Sequence, residues 1–365
     1  MALAVAACCV LFAARCSQYK PFDSVGFLRA QYTKELGPDL AVRIDVPFAV
    51  DTELHAAYMK GIQPASELSP RVQQVLDFIF YRIKLSYSLT PTRNAGGTFR
   101  ARKGNCLSFV NLFVGLARDQ GLNPFYVEVT DYQKWNHRQG LVVSQGHIVA
   151  GMYLEGQLKT YDFLPFRLKA YRQFKPIDDQ TAVAHYYNNM GAEALLDGDV
   201  EQADRLLTIA SKVAPRFDKS LNNLGVCKAR RGDFAAAVAL YHSGLAIDPR
   251  NAMLMSNLAR AYQETGRAAE AVALLVKIEE TNTSNPFFYV YLGEMALAGG
   301  DTAKALDYMA RALRLDGELP EVHLGLVKVY LALGELENAR HYLARALKLD
   351  ATDKEALRYA HLLGR

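Results

Sequence analysis

Cysteine is scarce in this chain, and its scarcity excludes whole classes of function. Of five cysteines in 365 residues, Cys8, Cys9 and Cys16 fall within the first sixteen positions. Only Cys106 and Cys227 remain for the folded body, so no disulfide framework follows. No Cys-x-x-Cys or His-x-x-x-His pair occurs there, which removes the common zinc spacings; no cofactor is expected. An excess of one charge is also missing: 42 Lys and Arg against 38 Asp and Glu leave +4. No basic stripe carries interleaved aromatics, so nucleic acid is not an expected partner. Nor does any apolar run reach the roughly 20 residues a membrane-spanning helix needs. What is present is a half-apolar, aromatic-rich composition, that of a globular chain with room for two or more domains.

The one long apolar run, Met1 to Ala14, gives way to Arg15-Cys16-Ser17-Gln18. It fits the h-region of a signal peptide, although a basic n-region is missing. Val5-Ala6-Ala7-Cys8 resembles a bacterial lipobox; Ala13-Ala14-Arg15-Cys16 is better placed, but Arg15 is the wrong residue before a cut. Residues 1–16 are therefore expected to be a signal or lipoprotein-type segment. The expectation is export to the cell envelope, periplasmic or lipid-anchored, with membrane contact only through that anchor.

The C-terminal half is periodic. Gly198, Gly232, Gly266, Gly300 and Gly334 follow one another at intervals of 34, and Ala203, Ala237, Ala271, Ala305 and Ala339 each come five residues later. Gly191, Gly225, Ala259 and Gly293 keep a second small position. Small residues at this period predict stacked helix–turn–helix pairs. The pattern resembles the tetratricopeptide repeat (TPR), with Leu224-Gly225, Tyr262, Ala312 and Pro249 at its strongest positions. Five repeats are expected over 184–353, starting near Ala184, Asp218, Ala252, Pro286 and Pro320, with a capping helix over 354–365. Thr283 and Gly317 replace the closing proline in the third and fourth. Asn189, Asn223 and Asn257 share the sixth position of the first three repeats. They are candidates for holding the backbone of an extended protein or peptide partner, or simply helix-surface asparagines. Lys219 is the one plausible carboxylate-clamp member in the first two repeats, so binding of chaperone tails is not supported.

The N-terminal half is α+β. Ser69-Pro70 opens a helix with Val72, Val75, Leu76, Ile79, Phe80 and Ile83 on one face. A loop is expected from 86 to 104, then a helix beginning near Cys106 and stopping at Gly121. Strands follow at 125–129, 146–154 and 158–163, with a polar stretch at 130–139 carrying Trp135 and His137. A two-residue turn at Glu155-Gly156 sets Asp162 opposite Val149 and puts His147 on the same face as a diagonal neighbour. A thiol at a helix N-terminus meets unpaired N–H groups and the positive end of the dipole, which favour the nucleophilic thiolate. An imidazole can exchange its proton, and a carboxylate can orient that imidazole.

Gly104-Asn105-Cys106-Leu107-Ser108-Phe109, then Gly146-His147-Ile148-Val149, then Tyr161-Asp162 resemble the transglutaminase-like (papain-like thiol) superfamily over about 65–170. The resemblance implies Cys106 as nucleophile, His147 as general base and Asp162 as its orienting partner. For the oxyanion it offers the nucleophile's own N–H and an upstream group, for which Thr98, Phe99 or a residue near Asn94 are candidates. The expected fold is an α+β transglutaminase-like (papain-like) domain followed by an all-α TPR superhelix, with 17–64 an N-terminal extension and 171–183 a linker. Two functions stay open: an envelope acyl transferase or amide hydrolase whose repeats hold a protein or peptide, and an idle fold serving as a TPR scaffold. Cys227 reads as a packing residue. His185, His242, His323 and His341 read as surface or groove positions.

Overall fold

A helix apolar on every side has to be enclosed, and Cys106–Asp119 is such a helix: Leu107, Phe109, Val110, Leu112, Phe113, Val114 and Leu116 are all buried. What encloses it appears in the computed structural model, which describes residues 23–138, 141–164, 173–280 and 285–364, without the side chains of 130–138, 141–146 and 279–280. The leader-like segment 1–16 and Thr283 lie outside these residues, as do the side chains of Trp135 and His137. The chain divides into two units, one of residues 1–134 and 144–223, the other of 135–143 and 224–365.

In the first unit, residues expected to form an N-terminal extension belong to the core instead. Helices Ser24–Leu36 and Thr52–Met59 and the segment between them supply Leu28, Tyr32, Ile44, Val46, Phe48, Leu54 and Tyr58 to the cluster around the Cys106 helix. Their apolar stretches are short and interrupted by turns, which hides them from a periodicity reading. The helix Leu68–Asp77 passes into a π-turn at Phe78–Arg82, with Ile83 N–H donating to Phe78 O at 2.9 Å. The extra residue in that turn rotates Phe80 off the buried face, leaving it 44% exposed, while Val72, Val75, Ile79 and Ile83 stay inside. The expected loop at 86–104 contains strand β1 (Ser86–Tyr87), helix Ala95–Ala101 and strand β2 (Lys103–Gly104), which pairs parallel with β1. Gly96-Gly97 disguises that helix, whose first turn is held by Asn94 accepting from Gly97 N–H at 2.7 Å.

Four strands form the sheet: β3 (Phe125–Arg138), β4 (Leu141–Leu154), β5 (Gln157–Tyr161) and β6 (Phe174–Ile177), in the order β5-β4-β3-β6. The turn between β4 and β5 puts Glu155 at φ 52° and Gly156 at φ 77°, both positive as a type I′ turn requires. That turn sets the register Leu154↔Gln157 through Ala150↔Tyr161. Strand β3 runs through most of the polar stretch, well past the expected end at 129. β6 occupies part of the expected linker and pairs antiparallel with β3, Tyr126 opposite Ile177. It carries Pro176, which only an edge strand tolerates, and β6 is an edge.

The repeats are helical hairpins: Asp179–Asp197 with Val200–Val213, Asp218–Arg230 with Phe234–Ile247, Ala252–Glu264 with Ala268–Glu280, Pro286–Ala298 with Thr302–Leu315, and Pro320–Ala332 with Leu336–Leu349. Lys354–Leu362 follows as a single helix. The glycines spaced by 34 all have φ between 75° and 84°, the left-handed conformation that ends one helix and starts the turn. The first hairpin lies in the first unit, where Ala182, Val183, Tyr186, Tyr187, Leu206, Ala210, Val213 and Phe217 join the core of the Cys106 helix. Among the described residues no helix is long and apolar enough to cross a membrane.

Candidate active site

The position of Cys106 is set by its neighbours on both sides. Asn105 is extended (φ −88°, ψ −177°) and its Oδ1 accepts from Ser108 N–H at 3.0 Å, so the helix starts at Cys106. Ser108 Oγ also donates to Asn105 Oδ1 at 2.9 Å and accepts from Arg93 N–H at 2.8 Å. Gly104 is needed for this closeness: a Cβ there would lie 2.6 Å from Ser108 Cβ. Cys106 carries a free, half-buried thiol.

His147 lies on β4 with 1% of its surface exposed. Asp162 follows the last paired residue of β5, and continuing the register puts it opposite Val149, diagonal to His147. His147 Nε2 meets Asp162 Oδ1 at 2.9 Å, and Leu164 N–H donates to the same oxygen at 3.0 Å. The imidazole is also hydrogen-bonded to Cys106. Asp162 occupies Nε2, which leaves Nδ1 for the sulfur. Burial pulls the proton affinity of this ring down. The hydrogen bonds to Asp162 and Cys106, and the electrostatic pull of both, outweigh it and hold the pKa up at about 9. At neutral pH the site therefore holds a charged imidazole between a sulfur and a carboxylate whose side chain is 31% exposed.

The upstream candidates for oxyanion binding are engaged elsewhere. Asn94 caps helix Ala95–Ala101, the hydroxyl of buried Thr98 donates to Asn94 O at 2.7 Å, and the Phe99 ring stacks on Phe78. Residues that pattern reading passes over support the cap before the nucleophile: Thr92, whose Oγ1 accepts from Asn105 Nδ2 at 2.7 Å, and Glu193, on which Thr92 rests. An Asn three residues before a Ser at a helix start is the available signal for the cap. Nothing local marks Glu193, which lies 101 residues from Thr92.

Asn257 helps line a cavity of about 430 Å³ with Arg260, Tyr291, Glu294, Lys328 and Glu355. Asn223 Nδ2 donates to Asn188 Oδ1 at 2.9 Å. Lys219 forms an ion pair with Glu128, the chemistry opposite to a free clamp lysine. His185 and His323 are buried rather than superficial, whereas His242 is exposed, with Nε2 2.8 Å from Tyr262 Oη. The two buried rings pack against aromatic neighbours, His185 on Phe217 and His323 on Tyr342.

Residues 56–166 match the transglutaminase-like superfamily. Residues 189–252, 228–286 and 296–362 match tetratricopeptide repeats. No curated protein matches the chain. Among solved structures it is similar to a thermophilic TPR protein of Thermus thermophilus (23% identity, 49% of this chain and 98% of that one, TM-score 0.45). It is also similar to PilF of Pseudomonas aeruginosa (24% identity, 51% and 86%, TM-score 0.43). A chain of the APC/C hetero-tetramer Cut9–Hcn1 shares 18% identity over 49% of this chain at TM-score 0.45, and this chain spans 36% of its length. These likenesses bear on neither activity nor partner.

Proposed function

We propose that this chain, a transglutaminase-like core at 56–166 followed by TPR repeats at 189–362, is a cysteine-dependent acyl transferase or amide hydrolase. Cys106 is its nucleophile, His147 its acid–base and Asp162 the carboxylate that orients the ring. The observation that carries this reading is the 2.9 Å contact of a buried His147 with Asp162, on a ring also bonded to Cys106. The thiolate attacks the carbonyl carbon of an amide, and His147 gives its proton to the departing amine as the C–N bond breaks. The resulting thioester is attacked by water, or by a second amine, which loses a proton to the now neutral His147; the thiolate leaves. Hydrolysis is favoured because water is the default acceptor.

TPR repeats are protein-interaction modules, and here they bind a protein or peptide partner that becomes the substrate or delivers it. The apolar run Met1–Ala14 supports a place in the cell envelope, periplasmic or lipid-anchored. The test is iodoacetamide modification of full-length protein, read on the Cys106 peptide by mass spectrometry. At pH 6.5 Cys106 should react faster than free cysteine, and His147→Ala should slow it by about tenfold or more. Equal rates in wild type and His147→Ala would leave the fold as an idle scaffold for the repeats.

A further inference from the structure

The carboxylate of Glu193 reaches out of the first repeat into the segment that precedes the nucleophile. It stands half-buried on helix Asp179–Asp197, which sends Ala182, Val183, Tyr186 and Tyr187 into the core. Its Oε1 accepts from Thr92 N–H at 2.9 Å and from Thr92 Oγ1 at 2.7 Å, and its Oε2 accepts from Thr92 N–H at 3.0 Å. We infer that Glu193 is a positioning residue for Cys106, acting through Thr92 and Asn105; the inference rests on Cys106 being the nucleophile.

Hydrogen-bond direction links the three residues. A carboxylate only accepts, so the single hydroxyl proton of Thr92 points at Glu193. The lone pairs of that hydroxyl are then left for a donor, and Asn105 Nδ2 supplies it at 2.7 Å. The second amide proton of Asn105 faces Leu89 O at 3.3 Å. With both amide protons committed, Asn105 Oδ1 must face the other way, towards Ser108 N–H at 3.0 Å and Ser108 Oγ at 2.9 Å. Thr92 is 4% exposed and Asn105 7%, so water has little access to substitute for any member. An Asn105 amide turned over would set its N–H groups against Ser108 N–H, and the helix would lose the cap that starts it at Cys106.

Stability alone does not account for an acid at this place. Burial raises the Glu193 carboxyl above the usual carboxylate range, against the lowering by the Thr92 hydrogen bonds. The positive charge of Arg93 offsets this only in part, and apolar replacements of buried charges are often neutral. A positioning role predicts a different result from a packing role: reactivity falls in variants that keep the fold and melt cooperatively.

The experiment measures iodoacetamide modification of Cys106 at pH 7 in the full chain, read on the Cys106 peptide, with melting temperature recorded for each variant. Glu193→Leu and Thr92→Val should each slow modification roughly fivefold, the equilibrium effect of a lost helix cap. Glu193→Gln should remain within about twofold of wild type, because its amide oxygen accepts from both Thr92 donors. Wild-type rates in both Glu193→Leu and Thr92→Val overturn the inference, as does a Glu193→Gln as slow as Glu193→Leu. If Glu193→Leu fails to fold, Thr92→Val decides. His147→Ala is measured alongside: if it slows Cys106 and the other variants do not, only the positioning role is lost. If it has no effect, the catalytic reading itself fails.

Discussion

Replacing Asp162 by Asn tests the site through the proton on His147. The ring holds that proton up to about 9 against an ordinary value of 6.5, and each pKa unit is about 1.4 kcal/mol. The folded chain therefore holds the imidazolium roughly 3 kcal/mol more firmly than the unfolded chain does. Among the effects that raise the pKa, the hydrogen bond to Asp162 is the largest, and only burial outranks it in the opposite direction. Asn keeps the shape but removes the charge, so burial meets less opposition and the titration of the ring should move down by about one unit or more. The assay is the NMR pH titration of His147 Cε1–H in wild type and Asp162→Asn. Stability gives a linked second reading. Because the folded pKa is raised, this contribution is complete below pH 6.5 and is lost as pH climbs through 9. Urea unfolding at about pH 6 and about pH 9.5 should therefore show a larger drop in wild type than in the variant. A ring that still titrates near 9 in Asp162→Asn refutes the reasoning.

Two further predictions address the frame of the site. Gly104→Ala puts a methyl group 2.6 Å from Ser108 Cβ, so backbone must shift; a loss of about 1–3 kcal/mol is expected in urea unfolding, and an unchanged midpoint would refute the close approach. His185 is driven down to about 3, first by burial and then by the positive charges of Lys219 and Lys175, with Glu128 opposing. Below pH 6.5 the unfolded chain takes a proton that the folded one refuses, so stability falls towards pH 3 by up to about 1.4 kcal/mol per unit. His185→Leu should move the acid-unfolding midpoint, followed by circular dichroism, to lower pH; a midpoint that stays or rises counts against the buried neutral ring.

Legibility in the sequence follows the range of the interactions. The repeats are readable because each glycine and alanine answers to a local demand that recurs every 34 residues. The β4–β5 hairpin is readable because Glu155-Gly156 admits few turns, and the turn fixes which residues share a face with His147. Strand β6 is not, since one proline and one lysine in four residues speak against a strand unless its edge position is known. Helix Ala95–Ala101 hides behind two glycines that ordinarily mark loops. Glu193 is invisible for a different reason: its function is defined by a partner 101 residues away, and no periodicity records such a contact.

The same long-range packing decides where the chain can be cut. Residues 171–183 read as a linker, yet the core of the Cys106 helix continues past them into Tyr186, Tyr187, Leu206, Val213 and Phe217. At about 1.5–3 kcal/mol for each large apolar side chain, these amount to on the order of 10 kcal/mol, comparable to the whole stability of a typical domain. Polar anchors add to them: Arg118 grips Asp179 through two bonds of 2.7 and 2.8 Å, and Asp45 N–H donates to Tyr187 Oη at 2.6 Å. A fragment of residues 23–170 should therefore lack a cooperative thermal transition, whereas 23–223 should melt as one unit by circular dichroism. Cooperative melting of 23–170 within a few degrees of 23–223 would show that the first repeat is dispensable. If the longer fragment alone folds, the first repeat is structurally part of the Cys106 unit, and a variant in that hairpin can alter the thiol's surroundings without touching residues 56–166.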